Sequence, residues 1–492
     1  MARRWSCRCD RIRRRSILMP LQRGLKLILY SWGNSNMKIG ISVRYHACLL
    51  LTLAVLVPCA VVGAAESKQE VEKYPDGKTK ATYSVNSKGV RDGAFQEFYE
   101  DGSTVKVQGT YQAGKLRGLY QEFHPNGKAK LKVMYKKGVR SGKYSEHGED
   151  GLPTISGSYR DGKLHGARKR LDGRATLSEE IWASGVLILP KSPAYLKKQL
   201  KAISKASIKT VGEIPPTTPE IVARVNEPTL HAHREAALRR LMMYRCVCNL
   251  PYEDMVLDKT FIAHSEAACL LLKKLGAVSH FPPNPGLPEE QYQFARVGTI
   301  NCNLQSDNEE TLLHQTVRDF MWDSDDRNLQ ILGHRRRCIN PAMLKTGFGR
   351  TGRFLAMWAP DKTRKEIPDY DFVAFPARGL QPVSLLRNNV YAWSVSLNPE
   401  KYRTPDNGSL KVKLVPARFD AKKGRIAKGS KPLEVEHLHV DVQQGAFPAA
   451  IIFRPKDLVH RPGKSFWVEI TGVQTAAGEE TKISYFVSFV KM

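Results

Sequence analysis

Cysteine, histidine and arginine are the side chains whose spacing in this sequence bears on chemistry. Of nine cysteines, four (Cys7, Cys9, Cys48, Cys59) precede Glu66 and five lie between Cys246 and Cys338. Cys246 and Cys248 make a C-x-C pair on an expected helix. No second half of a zinc ligand set follows, so they read as small buried apolar side chains. Cys302 and Cys338 stay open between a disulfide and a nucleophilic role. Arg335, Arg336 and Arg337 follow His334 directly. Their planar forks suit a carboxylate or phosphate, and the alternative is pairing with Asp323, Asp325 and Asp326. His231, His233, His264 and His314 have no partner at informative spacing, and His437 and His439 share one face of a strand as surface residues. No Ser–His–Asp or Cys–His set is present.

These groups sit in a chain of 492 residues with net charge +29, of which the stretch before Glu66 carries +10 and the rest +19. A basic surface suits an anionic polymer, lipid or cell wall. No aromatic–basic RNA motif, zinc finger or helix-turn-helix accompanies it, which excludes sequence-specific nucleic-acid binding. Residues 1–65 read as a basic leader and signal peptide, with translation expected to start at Met37. Lys38 and Arg44 are followed by the apolar run Ala47–Val62 and by Gly63, Ala64 and Ala65. The run is too short for a membrane span, so no transmembrane segment is expected after cleavage.

The positioning elements fall into blocks, a multidomain α+β chain. Residues 71–173 repeat an Asp/Asn-Gly turn (Gly77, Gly102, Gly127, Gly151), an alternating strand and a closing glycine (Gly93, Gly118, Gly142, Gly166). This is a repeated β-hairpin module. Tyr83, Tyr111, Tyr135 and Tyr159 recur in it and are expected to stack along the ribbon. Residues 174–226 read as a linker with one basic helix. Residues 227–365 read as helical, with helices over Ala236–Cys248, Met255–His280 and Glu309–Trp322, then a strand pair around a Gly-rich turn. Residues 372–492 open on the linker AFPARGLQPV and continue as six or seven short strands, a C-terminal β-sandwich of immunoglobulin-like or fibronectin type III-like kind.

The repeats resemble MORN-like repeats. The run Leu257-Asp258, the alanines Ala263, Ala267 and Ala268, Ser279–Pro283 (SHFPP), Leu332–Arg337 (LGHRRR), the I-N-P that follows and Gly347–Gly349 together resemble a bacterial CAP (SCP-like) domain. That resemblance implies an α–β–α sandwich with a cleft holding two histidines and two acids. By motif the histidines are His280 and His334. The later acid falls by position on Asp323, where the family usually has Glu. The earlier acid is missing, since the segment Gly298–Asn303 reads GTINCN.

Three functions follow as expectations. The first is an exported (secreted or periplasmic) binding or scaffolding protein around a CAP-like domain. Its partners would be a protein, an anionic envelope polymer or a lipid ligand. The second is a metal-assisted hydrolase of peptide or wall polymer. It would hold a divalent metal such as zinc on His280 and His334, with Asp323 and Arg335 in the cleft. The third is a carrier of lipid or a small apolar ligand.

Overall fold

The computed structural model describes residues 67–326, 328–387, 391–420, 423, 425–442 and 448–492. They belong to one compact unit, Ala65–Met492. The expected leader and signal peptide, residues 1–65 with a start at Met37, lie outside the described residues. No helix among the described residues is long and apolar enough to cross a membrane.

The turn-and-strand pattern builds one sheet of thirteen strands, ordered along the chain from Lys68–Lys73 to Val186–Leu189. Each turn is closed locally. At Asp101-Gly102 the glycine N–H donates to Tyr99 O at 2.8 Å, and Asp101 Oδ1 accepts from the N–H groups of Ser103 and Thr104. Gly102 has φ +74, which glycine adopts without steric cost. The sheet runs past residue 173 through Ala175–Ala183 and Val186–Leu189, so its last strands lie in what reads as linker. The recurrent tyrosines do not form one column. Three pair with an aromatic ring of another strand: Tyr111 with Phe95 (4.8 Å between centroids), Tyr135 with Tyr120 (5.6 Å) and Tyr159 with Tyr144 (4.7 Å), while Tyr83 carries the Arg91 guanidinium over its ring at 4.5 Å. The rings of Phe95 and Tyr144 lie over bare backbone at Gly109 and Gly157, where a Cβ would come within 2.8 and 2.7 Å of them.

Seven α-helices follow among the described residues: α1 (Pro193–Ser204), α2 (Pro219–Asn226), α3 (Pro228–Val247), α4 (Lys259–Leu275), α5 (Glu289–Asn301), α6 (Leu313–Trp322) and α7 (Gly333–Cys338). The helix expected over Met255–His280 is shorter at both ends. Asp258 caps its start by accepting from Thr260 N and Phe261 N, and Gly276, at φ 71, ends it. Helix α5 is absent from the sequence reading, although Pro288 followed by Glu289 and Glu290 is a helix-start signal.

An antiparallel sheet sits among these helices, with Phe354–Trp358 between Cys302–Ser306 and Phe348–Thr351. Helix α4 crosses one face so closely that a Cβ on Gly349 would lie 2.3 Å from the Ser265 carbonyl, and one on Gly347 2.4 Å from Ile262 N. Helix α5 meets α4 the same way at Gly298, 2.0 Å from His264 O. The opposite face carries α7: Asn303 Nδ2 donates to His334 O at 3.0 Å.

Beyond residue 372 two sheets form. One holds Phe372–Phe375, Trp393–Leu397, Ala450–Pro455 and Val435–Asp441. The other holds Gly379–Pro382, Glu480–Val490, Ser465–Gln474, Lys411–Asp420 and Arg425–Lys428. The expected linker AFPARGLQPV supplies one short strand to each sheet. Trp393, Phe453, Phe466 and Phe489 are buried between them. One hydrophobic cluster joins these side chains to those of α1–α6, so the helical and C-terminal parts share a core.

Candidate functional site

Helix α6 ends at Asp323, which adopts the left-handed conformation (φ 40) and is almost fully buried. Aspartate tolerates this conformation better than most residues. Its Oδ1 accepts from His334 Nδ1 at 2.9 Å and its Oδ2 from Arg335 N at 3.2 Å. A second left-handed residue, the fully buried Leu332 (φ 48), starts α7 and sets His334 on the first turn. The carboxylate can only accept, so Nδ1 of His334 carries the proton and Nε2 keeps its lone pair in the neutral ring. The same logic applies to His280. Its Nδ1 is 2.7 Å from the carbonyl of Thr299, which can only accept, and Thr299 Oγ1 donates back to His280 O at 3.2 Å.

Both histidines therefore hang from one short segment. Thr299 holds the ring of His280, and Asn303, four residues on, holds the backbone of His334. This is the stretch that lacks an acid. Burial pushes the pKa of His280 down, the hydrogen bond to Thr299 works against this, and the charges of Arg337 and His334 add to the depression. No carboxylate is among the groups that shift His280. His334 and Asp323 line a cavity of about 180 Å³ with Gln305, Asp319, Asp325 and Arg387; His280 is not among its lining residues. Arg387 pairs with Asp319 at 3.2 Å and lies over the Trp322 ring.

Arg335 is not a cleft residue. It is fully buried, and all five of its N–H donors are used. Nε goes to Met321 O, Nη1 to Ala392 O and Ser394 Oγ, and Nη2 to Trp322 O and Ser324 Oγ. Burial lowers its pKa to about 10. Arg336 likewise reaches Pro448 O and Asp441. From the other side, Arg245 of α3 donates to Cys338 O, Asn340 O and Met343 O. The L-G-H-R-R-R-C-I-N-P run is thus a joint that ties α3, α6 and the C-terminal sheets together.

The thiols are corrected in the same way. Cys302 faces α4, with Ser265 Oγ at 3.4 Å, whereas Cys338 lies on the other side of the sheet beside Asn303 and Met357. A sheet separates them, so no disulfide links them, and all five described cysteines are free and buried. Burial pushes Cys302 up to about 12 and raises Cys338 further, which leaves neither as a thiolate nucleophile. His264 stacks on Phe294 at 4.1 Å and bonds its carbonyl, a packing role.

Sequence reading missed the buried acid of this region, Glu266 on α4. It pairs with Arg234 at 2.7 Å and Arg224 at 2.8 Å, and Arg234 also donates to Phe348 O and Val225 O. Glu266 is fully buried on the α4 side of the sheet, away from His334. Its only sequence signal is a charge inside an apolar helical stripe, which burial makes costly unless paired.

A divalent metal finds an incomplete ligand set here. The Nδ1 contacts of both histidines match the outer-shell pattern that orients metal-binding imidazoles. Catalytic zinc, however, takes three protein ligands. Asp323 already serves His334 and Arg335, and no group of three or more His, Cys, Asp or Glu side chains converges among the described residues.

No family model and no curated protein matches this chain. Among solved structures it is similar to S. aureus TarM, G117R mutant, in complex with Fondaparinux, alpha-GlcNAc-glycerol and UDP. The identity is 12%, the match covers 28% of this chain and 24% of that one, and the TM-score is 0.10.

Proposed function

We propose that this chain is an exported binding or scaffolding protein of the cell envelope or extracellular space, built around a CAP-like domain. Residues 71–173 act as MORN-like repeats, and residues 372–492 as an immunoglobulin-like or fibronectin type III-like sandwich. The observation that supports binding over catalysis is the state of the histidine pair. Each Nδ1 is committed to an acceptor, and among the described residues no three His, Cys, Asp or Glu side chains are placed to hold a metal ion together. Peptide and cell-wall substrates incubated with the full chain test this. Turnover that disappears in His334→Ala would overturn it; no turnover above that variant supports it.

A second reading, a hydrolase, has one observation in its favour. Asp323 fixes the tautomer of His334 and leaves Nε2 as a base beside a polar cavity. The same assay with Asp323→Asn separates the two readings, since a base held by Asp323 loses activity when the tautomer is no longer fixed.

A further inference from the structure

The thirteen-stranded sheet carries two different faces. Cross-strand partners point to the same side, so the register defines rows perpendicular to the strands. One row holds the rings of Phe95, Tyr120 and Tyr144, and beside it on the same face Glu97, Glu122 and Glu146 pair with Val107 or Leu131. The opposite face holds a row with no apolar member over six adjoining strands: Gln108, Gln121, Lys132, Ser145, Ser156 and Lys169, each the direct partner of the next.

This row is ordered before any ligand arrives. Gln96 Nε2 donates to Gln108 Oε1 at 3.3 Å, and Gln108 Nε2 donates to Gln121 Oε1 at 2.9 Å, so the amides form a ladder of fixed polarity. Next to the ladder a shallow cavity of about 670 Å³ is lined by Lys132, Lys143 and Lys169 with Ser145, Ser156 and Ser158, and no carboxylate lines it. Lys169 pairs with Glu179 at 3.2 Å, whereas Lys132 and Lys143 make no ion pair among the described residues. Leu119 and Met134 stand exposed at its rim.

We infer that this row and its lysines form a track for a linear anionic glycan, a sugar polymer carrying carboxylate, sulfate or phosphate groups, laid across the strands. Amides and hydroxyls repeating at the interstrand spacing of ~4.8 Å offer donors and acceptors to successive sugars, and the lysines meet the charges as point cations. From Gln96 to Lys169 the track runs roughly 29 Å at that spacing. The row holds no aromatic ring on which a nucleic-acid base could stack. Two exposed apolar side chains are a small area for insertion into a lipid surface. The track is independent of the histidine cleft and stands or falls separately from it.

Dextran sulfate fractions of graded length, with neutral dextran as control, test the track on the full chain. Affinity is expected to fall with salt and to rise with polymer length until the chain spans the row, then level off. Lys132→Gln with Lys143→Gln is expected to weaken binding at least tenfold while the thermal transition stays in place. Gln108→Ala with Gln121→Ala is expected to weaken it less, and Glu122→Gln on the other face not at all. Unchanged binding in the lysine double variant overturns the inference. So does binding that ignores polymer length, or vesicles of phosphatidylglycerol that bind as tightly and lose as much in the same variant. If the double variant does not fold, Lys143→Glu alone, at an exposed position, gives the same readout.

Discussion

His334 donates Nδ1–H to Oδ1 of Asp323 across 2.9 Å, and the second oxygen of that carboxylate takes the N–H of the next residue, Arg335. One buried carboxylate therefore fixes the ring of His334 and the start of the helix that carries it.

Replacing Asp323 with Asn removes the charge and turns one acceptor into a donor facing His334. Leaving buried partners unsatisfied costs about 1–3 kcal/mol, so the denaturant midpoint should fall by that measure. Nitrogen-15 shifts of the His334 ring should show Nδ1 losing its fixed proton. A ring spectrum and midpoint like those of the parent chain would show that the pair does not hold the helix.

The glycines under α4 make a sharper structural test. Gly349→Ala would push a methyl to 2.3 Å from α4 backbone, which must move. Overpacking of this kind costs about 1–3 kcal/mol or more. Gly333→Ala meets its nearest atom only at 3.5 Å and lies in α7, so it should be near neutral or stabilising. Thermal unfolding of the two variants should differ in that order.

Much of this framework is legible in the sequence. Asp/Asn-Gly turns repeat because hairpins need positive φ, and alternating strands follow from sheets with two distinct faces. The six C-terminal strands that the alternation marks are found in place, and Phe372–Phe375, Gly379–Pro382 and Arg425–Lys428 join them in the two sheets. What escapes is set by partners far along the chain. Helix α5 has a weak stripe and a proline-rich prelude. Glu266 looks like a surface charge until Arg234 and Arg224 arrive from other helices. Arg335 looks like a ligand-binding side chain because its position beside His334 is visible and its five distant acceptors are not. His280 and His334 could be picked out by motif, but their common anchor at Thr299 and Asn303 exists only in the fold.

The Arg224–Glu266–Arg234 cluster predicts a large effect from a small change. Glu266→Ala leaves two guanidinium groups, one fully buried, without their counter-charge. Breaking a buried ion pair from one side costs about 3–5 kcal/mol. Chemical denaturation should show a loss of that size, whereas Glu310→Ala on the exposed loop before α6 should cost little. Equal effects would contradict the role given to Glu266.

Stability should also depend on pH through His280. Its pKa in the folded chain is lowered, chiefly by burial, from the ordinary 6.5. Below about pH 6.5 the unfolded chain takes up a proton that the folded chain resists, so stability present above that pH is lost as pH falls toward the folded value. His264 and His314 are lowered by burial too and contribute in the same direction. His280→Gln should flatten part of the slope between pH 7 and 5 in urea midpoints. An identical slope would show that His280 titrates normally.

Metal content is the most direct test of the central claim, that the histidine pair is a held structural feature of a binding protein. After dialysis against zinc and then zinc-free buffer, elemental analysis should find well under one zinc per chain, with the same residue in His280→Ala and His334→Ala. About one zinc per chain, lost in both variants, would contradict the account and restore the metal-assisted hydrolase.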